Sequence, residues 1–469
     1  MSEFAAVLPK LIMLVLITLA LAIESFGSAV VRRALLLTSA ALALLGFVYS
    51  FWLLDENLRL WSDALVIDNF AVFTDMVLLV LVFIVILAGL EGMGRSGDAG
   101  DFYLLVFLSL LGASVLASAG NLIVVFLGME LSIIPTWALV AFRLTDRDGF
   151  EAALKYFLMS IFAAALLLYG FSLIYGTVGS VTIPFQGEVE TTRLLLAGIA
   201  LVLAGFAFEL AAFPFHQWLP DVFDAAYAEV GAFLSVAPKL AAVVALVRIL
   251  SGLEGQSDAW TYGVAVLAAA TMFWGTLVAF AQTTLKRLLA YSAIAHAGYA
   301  LVGVAAGNQP GMEGAVLYFG AYGTGVVGAF LVLSVLAGRG FDDQLANFRG
   351  LGRTHPGLAS IMTVFLISLT GIPLFAGFWG KFSVFWGAVQ GDLVWLAVIG
   401  VVNSALSFGF YGRIIQRMYL EPAPLEPAPP ALGIGADEIN WPLRLALGLT
   451  VGLTFVLGVL PRLLFQAVG

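Results

Sequence analysis

The chain has 469 residues, of which 62% are hydrophobic and only 11% charged, with a mean hydropathy of +1.04 and a formal net charge of −9. That composition excludes an ordinary soluble globule, in which about a quarter of the residues carry charge. The absence of cysteine removes disulfides and any cysteine-ligated iron-sulfur cluster, and three histidines far apart in sequence argue against a haem or zinc site.

Apolar runs, read at about 20 residues per span, predict 14 transmembrane helices. They lie at 8–24, 34–54, 70–90, 102–119, 121–142, 153–176, 193–219, 230–251, 259–281, 287–307, 313–338, 357–389, 393–420 and 442–465. The runs are continuous and do not alternate polar with apolar, so the expected fold is an all-α polytopic membrane protein, not a strand barrel. Helix 1 has a single basic lead-in, Lys10, and no convincing small-residue cleavage site, so an uncleaved helix is expected. No long polar block interrupts the spans, which predicts one membrane domain over 1–469 with helices 1–3 (1–101) peripheral. The longest polar connection, Glu421 to Asn440, carries five prolines and reads as a tether.

Basic residues mark the cytoplasmic side. Loops joining an odd helix to the next hold 14 of the 21 Lys and Arg, from Arg32 to Arg444, against five in the even loops and termini. The expected orientation puts both termini outside the cytoplasm, in the cell's inner (plasma) membrane.

Taken in chain order, the ionisable residues inside spans are few. Glu130 lies near the middle of helix 5 and Lys239 near the middle of helix 8, where a charge costs about 2.5–3.5 kcal/mol on insertion scales. Glu209 precedes Pro214 by five residues in helix 7, and Lys381 follows Pro373 by eight in helix 12. Each proline should break its helix, and the two broken helices are five apart in order, an odd offset that fits two inverted repeats. Groups that gain and lose protons within water-bridged reach make a proton wire, so Glu130, Glu209, Lys239 and Lys381 point to proton or ion traffic. A buried pair that only fixes helix packing is the competing reading. His296 in helix 10 is a candidate relay. His216, after the break, is expected to cap freed backbone groups, and His355 to be structural. Lys155 and Lys286, at cytoplasmic helix starts, are explained by orientation alone or by a role in gating entry.

Several stretches resemble a known family. They are Phe126-Leu-Gly-Met-Glu-Leu131, Glu151-Ala-Ala-Leu-Lys-Tyr-Phe157, Pro214-Phe-His-Gln-Trp-Leu-Pro-Asp-Val222, Gln282-Thr-Thr-Leu-Lys-Arg-Leu-Leu-Ala-Tyr-Ser292 with His296-Ala-Gly298, and Gly377-Phe-Trp-Gly-Lys-Phe382. In this order they are similar to the antiporter-like membrane subunits of respiratory complex I, the NADH-quinone oxidoreductase. The resemblance implies 14 helices, with 102–251 (helices 4–8) and 259–420 (helices 9–13) as inverted five-helix repeats, helices 7 and 12 broken, and helix 14 at 442–465. It implies a central axis in which Glu130, Lys239 and Lys381 carry protons. No cofactor is implied in this chain: flavin, iron-sulfur clusters and quinone belong to partner subunits. The implied partners are other membrane subunits and the lipid bilayer, with no nucleic acid. The family places a lysine five residues before Pro-Phe-His, where this chain has Glu209, and usually has two prolines in the next loop, where it reads Asp224-Ala-Ala-Tyr-Ala-Glu-Val230. The alternative expectation is a subunit of a multi-subunit sodium/proton antiporter. A free-standing transporter is disfavoured by the lack of an aromatic and polar solute pocket at the breaks.

Overall fold

The computed structural model describes residues 3–25, 28–90, 98–142, 147–185, 190–253, 257–423 and 439–469. The expected tether lies mostly outside the described residues, as do Arg95 and Arg143 of the orientation count. Twelve helices among the described residues are long and apolar enough to cross a membrane. They are α1 (Leu8–Ser25), α2 (Ala29–Ser50), α3 (Asn69–Gly89), α4 (Ala99–Ala117), α5 (Leu122–Val140), α6 (Arg147–Val178), α8 (Ala228–Ser251), α9 (Ser257–Ala279), α10 (Leu285–Ala305), α11 (Gln309–Gly338), α13 (Val394–Leu420) and α14 (Trp441–Val459). Two more spans are broken: α7a (Arg193–Glu209) with α7b (Trp218–Ala225), and α12a (Pro356–Thr370) with α12b (Ala376–Gln390). A short α15 (Arg462–Val468) follows α14. The chain is thus a polytopic helical membrane protein with the broken helices where Pro214 and Pro373 place them.

Many helix starts are capped by polar side chains. Ser28, Asp68, Asn121, Thr192, Thr284 and Asn308 each accept a hydrogen bond from the third backbone N–H beyond, which satisfies a donor the helix itself cannot. Burial then sorts the helices. α8 is buried along its whole span and α10 and α11 nearly so, whereas α1, α2, α6 and α14 bury only a third of theirs. The core is therefore α8, α10 and α11, wrapped by the others. Small residues set the closest approaches: a Cβ added to Gly112 of α4 would lie 2.2 Å from the Ser132 nitrogen of α5, and one added to Gly128 of α5 2.6 Å from the Leu116 nitrogen of α4. Such contact is how helices pack in lipid, where dispersion replaces the hydrophobic drive.

Three features depart from the sequence reading. α6 starts at Arg147, so Lys155 sits more than two turns inside it and not at its start. A hairpin of β1 (Leu58–Leu60) and β2 (Leu65–Ile67) joins α2 to α3 and is stitched to neighbouring loops by Val66 N–H to Ser118 O at 2.7 Å and Gly120 N–H to Ala64 O at 3.0 Å. Lys10 is no surface lead-in: its ammonium donates to Asp75 at 2.8 Å, and Ser114 donates to the other oxygen of that carboxylate at 2.5 Å. Only 5% and 3% of Lys10 and Asp75 are exposed. Both charges lie in the terminal parts of their helices, and pairing them, with a second hydrogen bond from Ser114, satisfies them inside the membrane region.

Candidate functional site

The two helix breaks build the site. At the second, Gly371 closes α12a in the left-handed conformation (φ 91°), and α12b begins five residues later. The Lys381 ammonium reaches back across the gap and donates to the Leu369 carbonyl at 3.1 Å, the Thr370 carbonyl at 2.8 Å and the Ser404 hydroxyl at 2.9 Å. Those carbonyls have no intrahelical donor, and they form the negative end of the α12a dipole, so a cation is stabilised there twice over. The ammonium also stands 4.6 Å from the centre of the Tyr299 ring.

At the first break the sign is reversed. Glu209 is the last residue of α7a, so its carboxylate sits at the negative end of a helix dipole. The residue is 2% exposed, and its Oε2 has no hydrogen-bond partner in the chain. The charges acting on it are Lys239 and Glu130. Lys239 is 1% exposed and its ammonium likewise lacks a partner. It follows Pro238, which interrupts α8 and frees the carbonyl one turn earlier. Glu130 is only half-buried and shares a face of α5 with the exposed Leu127 and Ile134, so it marks the lateral end of the row.

Between Lys239 and Lys381 the interior is polar. His296 feels both lysines. Its Nδ1 is hydrogen-bonded to the Tyr318 hydroxyl and its Nε2 lies 3.4 Å from the Tyr411 hydroxyl, which in turn meets Ser292. Asn403 donates to the Tyr299 hydroxyl and to Thr276, both at 2.9 Å. The Tyr322 ring lies against His296 with ring centres 4.4 Å apart, tilted by 32°. Electrostatic contact thus runs from Glu130 to Glu209, from Glu209 to Lys239, and from both lysines to His296, a polar axis of which the half-buried Glu130 is one end.

Lys155 and Lys286 are not on that axis. They come together at a polar cavity of about 300 Å³ that also takes in Asp148, Glu151, Asp221, Asp224 and Arg287. Lys155 bridges to Glu151 at 2.9 Å and to Asp221 at 3.0 Å, and Arg287 to Asp221 at 3.1 Å and Asp224 at 3.4 Å. Lys286 donates to the carbonyls of Asp224 and Ala226, at 3.1 and 2.8 Å, at the C-terminal end of α7b. Three cations thus clamp α7b. On its inner side, Trp218 stacks on Tyr156 with centres 4.2 Å apart and donates to the Phe208 carbonyl at 3.2 Å. Tyr156 follows Lys155 of the cavity in sequence and lies within electrostatic range of Glu209 and Glu130. Outside the spans, Asp343 accepts the Lys286 N–H at 3.4 Å, and burial holds its carboxyl above the usual range.

His216 does not cap the broken helix. Its ring packs against Phe213 and Trp274 with centres 5.8 and 5.9 Å away, and its Nδ1 has no partner. The carbonyls at the end of α7a are met by other groups: Ala212 N–H donates to Ala207 O at 2.7 Å, and Trp218 serves Phe208. His355 bonds to the neighbouring Thr354 hydroxyl at 3.1 Å and packs edge-on to Phe341. Glu229 accepts from the Ser334 hydroxyl. The residues that sequence reasoning missed are uncharged: Tyr299, Tyr318, Tyr322, Tyr411, Asn403 and Ser404. Four tyrosines inside apolar runs were the available signal, since a buried hydroxyl needs a partner.

The profile of a family described as NADH:quinone oxidoreductase/Mrp antiporter, TM matches residues 119–407, more than half of the chain. The chain belongs to this family. It is 36% identical over 420 residues to NADH-quinone oxidoreductase subunit N of Trichlorobacter lovleyi, covering 87% of this chain and 84% of the relative. It is 42% identical over 343 residues to that of Desulfovibrio desulfuricans, covering 69% and 68%. Among solved structures, a chain of respiratory complex I from Thermus thermophilus with bound aureothin superposes with a TM-score of 0.82 at 30% identity, covering 98% of this chain and all of that one. A chain of the Mrp complex from a Dietzia species gives 0.85 at 23% identity over 99% and 96%, a likeness of fold alone. Among the described residues no group of three or more His, Cys, Asp or Glu is placed to hold a metal.

Proposed function

We propose that this chain is a proton-translocating, non-redox membrane subunit of a complex I-type NADH-quinone oxidoreductase. Flavin, iron-sulfur clusters and quinone sit in partner subunits, and helices 4–8 and 9–13 act as inverted repeats. It lies in the inner membrane with both termini outside the cytoplasm. The observation that carries the reading is the buried Lys239 ammonium without a hydrogen-bond partner, within electrostatic reach of both Glu209 and His296. A buried charge without a direct partner is expensive, and a site that keeps one is balanced to change its protonation.

In this reading protons arrive through the cavity at Lys155 and Lys286 and pass the Tyr156–Trp218 pair. Lys239 takes up and releases a proton according to the charge on Glu209 and Glu130. Release proceeds by His296 and the tyrosine hydroxyls to Lys381, where the α12a carbonyls hold the ammonium until a neighbouring charge displaces it. The replacement of the family lysine by Glu209 shifts the pairing by one helix: Lys239 supplies the cation for two carboxylates, which balances when the carboxylates together hold one proton. Glu130, on an outward face, is suited to sense a neighbouring subunit.

The test is Lys239→Ala in the assembled complex reconstituted in liposomes. Quinone reduction persists and the proton-to-electron ratio falls; an unchanged ratio with intact assembly would falsify the assignment. The closer sequence identity to subunit N than to the Mrp chain favours the oxidoreductase over the sodium/proton antiporter.

A further inference from the structure

A second cavity, of about 260 Å³, lies away from the polar axis among α2, α3, α8, α11, α14 and α15. Its walls are apolar. Even the two threonines on it spend their hydroxyls on their own helices: Thr324 donates to the Ala321 carbonyl at 3.0 Å and Thr450 to those of Ala446 and Leu447 at 3.0 and 2.9 Å. A cavity without polar partners does not hold water, and one of this size exceeds the roughly 150 Å³ that takes up benzene.

Its shape is that of a slot. Along α3 it runs from Phe73 to Ile84, which at 1.5 Å per residue is about 16 Å. That is close to half of the roughly 30 Å hydrocarbon core, the depth of one leaflet. One end is formed by Leu463 and Leu464 of α15 and by Phe51 after α2, on the side where both termini lie. Next in sequence to the lining residues Leu463 and Phe51 are Arg462 and Trp52, both exposed and both of residue types that sit at headgroup level. The other end is Val236 and Val327, in mid-membrane. Val236 is one turn from Lys239, and Thr324 on the slot wall is two residues from Tyr322 of the axis.

We infer that this slot is a binding site for one phospholipid, with an acyl chain between α3, α11 and α14 and the phosphate at Arg462. The chain of a bound lipid completes the apolar wall behind Lys239 and keeps water from reaching the axis from that flank.

The experiment uses the assembled complex in vesicles of phosphatidylethanolamine and phosphatidylglycerol that contain a trace of phosphatidylglycerol with a photoreactive diazirine midway along one chain. Irradiation and peptide mapping are expected to find adducts on the segments carrying Val80 and Leu453. The double variant Val80→Phe, Leu453→Phe lowers those adducts at least five-fold while labelling of the whole complex is unchanged. Arg462→Gln, at the surface and therefore independent of core packing, lowers them about two-fold. Adducts confined to other segments overturn the proposal. So does labelling that excess long-chain quinone displaces and unlabelled phospholipid does not, which would assign the slot to quinone.

Discussion

Replacing Lys381 separates its chemistry from its packing, because two large effects oppose each other at this position. The ammonium makes three hydrogen bonds, to Leu369 O, Thr370 O and Ser404 Oγ. In Lys381→Met the Thr370 carbonyl keeps the Ser404 hydroxyl at 2.9 Å, and the Leu369 carbonyl is left unpaired, at about 1–3 kcal/mol. Against that, the variant no longer buries a charge, and replacing buried charges by apolar groups of similar volume is often neutral or favourable by about 1–4 kcal/mol. The terms nearly cancel, so Lys381→Met should keep the thermal stability of the complex within about 2 kcal/mol. Proton transfer through the chain should stop, because a thioether carries no proton. Lys381→Glu instead turns a carboxylate toward carbonyls and the negative end of a helix, and should lower stability or prevent assembly. Thermal unfolding of the purified complex and the proton-to-electron ratio in liposomes measure the two effects separately. Normal pumping in Lys381→Met, or its collapse on purification, would refute the reasoning.

Three further expectations follow from other contacts. Asp75→Asn or Lys10→Met alone leaves one buried charge unpaired and should destabilise by about 3–5 kcal/mol, whereas the double variant recovers most of the loss in a thermal melt; additive losses would show that the pair is not coupled. Tyr318→Phe removes the hydroxyl that His296 meets, and is expected to slow proton translocation at least ten-fold without altering quinone reduction in uncoupled membranes, with His296→Ala slower still. Asp343 has its carboxyl raised by burial, so the folded state holds that proton more tightly than the unfolded one. The corresponding stability is fully present below the unfolded carboxyl range and is lost as pH rises through the folded value. Asp343→Asn, which keeps an acceptor for the Lys286 N–H, should flatten that part of the stability-pH profile; an unchanged slope assigns it to another group.

The spans were readable because continuous apolar runs have one outcome in a bilayer, and the breaks because Pro214 and Pro373 each lie within eight residues of a charge in the same span. Lys239 and Lys381 stood out for the same reason, since a lysine in mid-span is rare. The charge nearest in effect to Glu209 was not readable: Lys239 is thirty residues away, and no periodicity links the end of α7a to the middle of α8. Tyr318, Tyr411 and Asn403 escaped because each is only mildly polar and unremarkable in a membrane helix until its neighbours are known. Lys10 sat close enough to a span end to pass for a basic lead-in, and the lone Asp75 gave no sign that it was its partner, although the fold closes over both. The β1–β2 hairpin is too short for an alternating pattern to declare itself.

The glycine contacts of α4 and α5 set which carboxylate can travel. Gly112 and Gly128 bring the two backbones together on either side of the turn that holds Glu130, so α4 and α5 behave as one plank and Glu130 is a fixed post upon it. Glu209 has the opposite mount: it ends a half-helix, beside a turn that includes Ala211 at φ 54° and leads into the ion-clamped α7b. Any change in the gap between the two acids is therefore made by helix 7, and a strut that stiffened Leu210 to Gln217 would freeze the spacing while leaving the α4–α5 plank untouched.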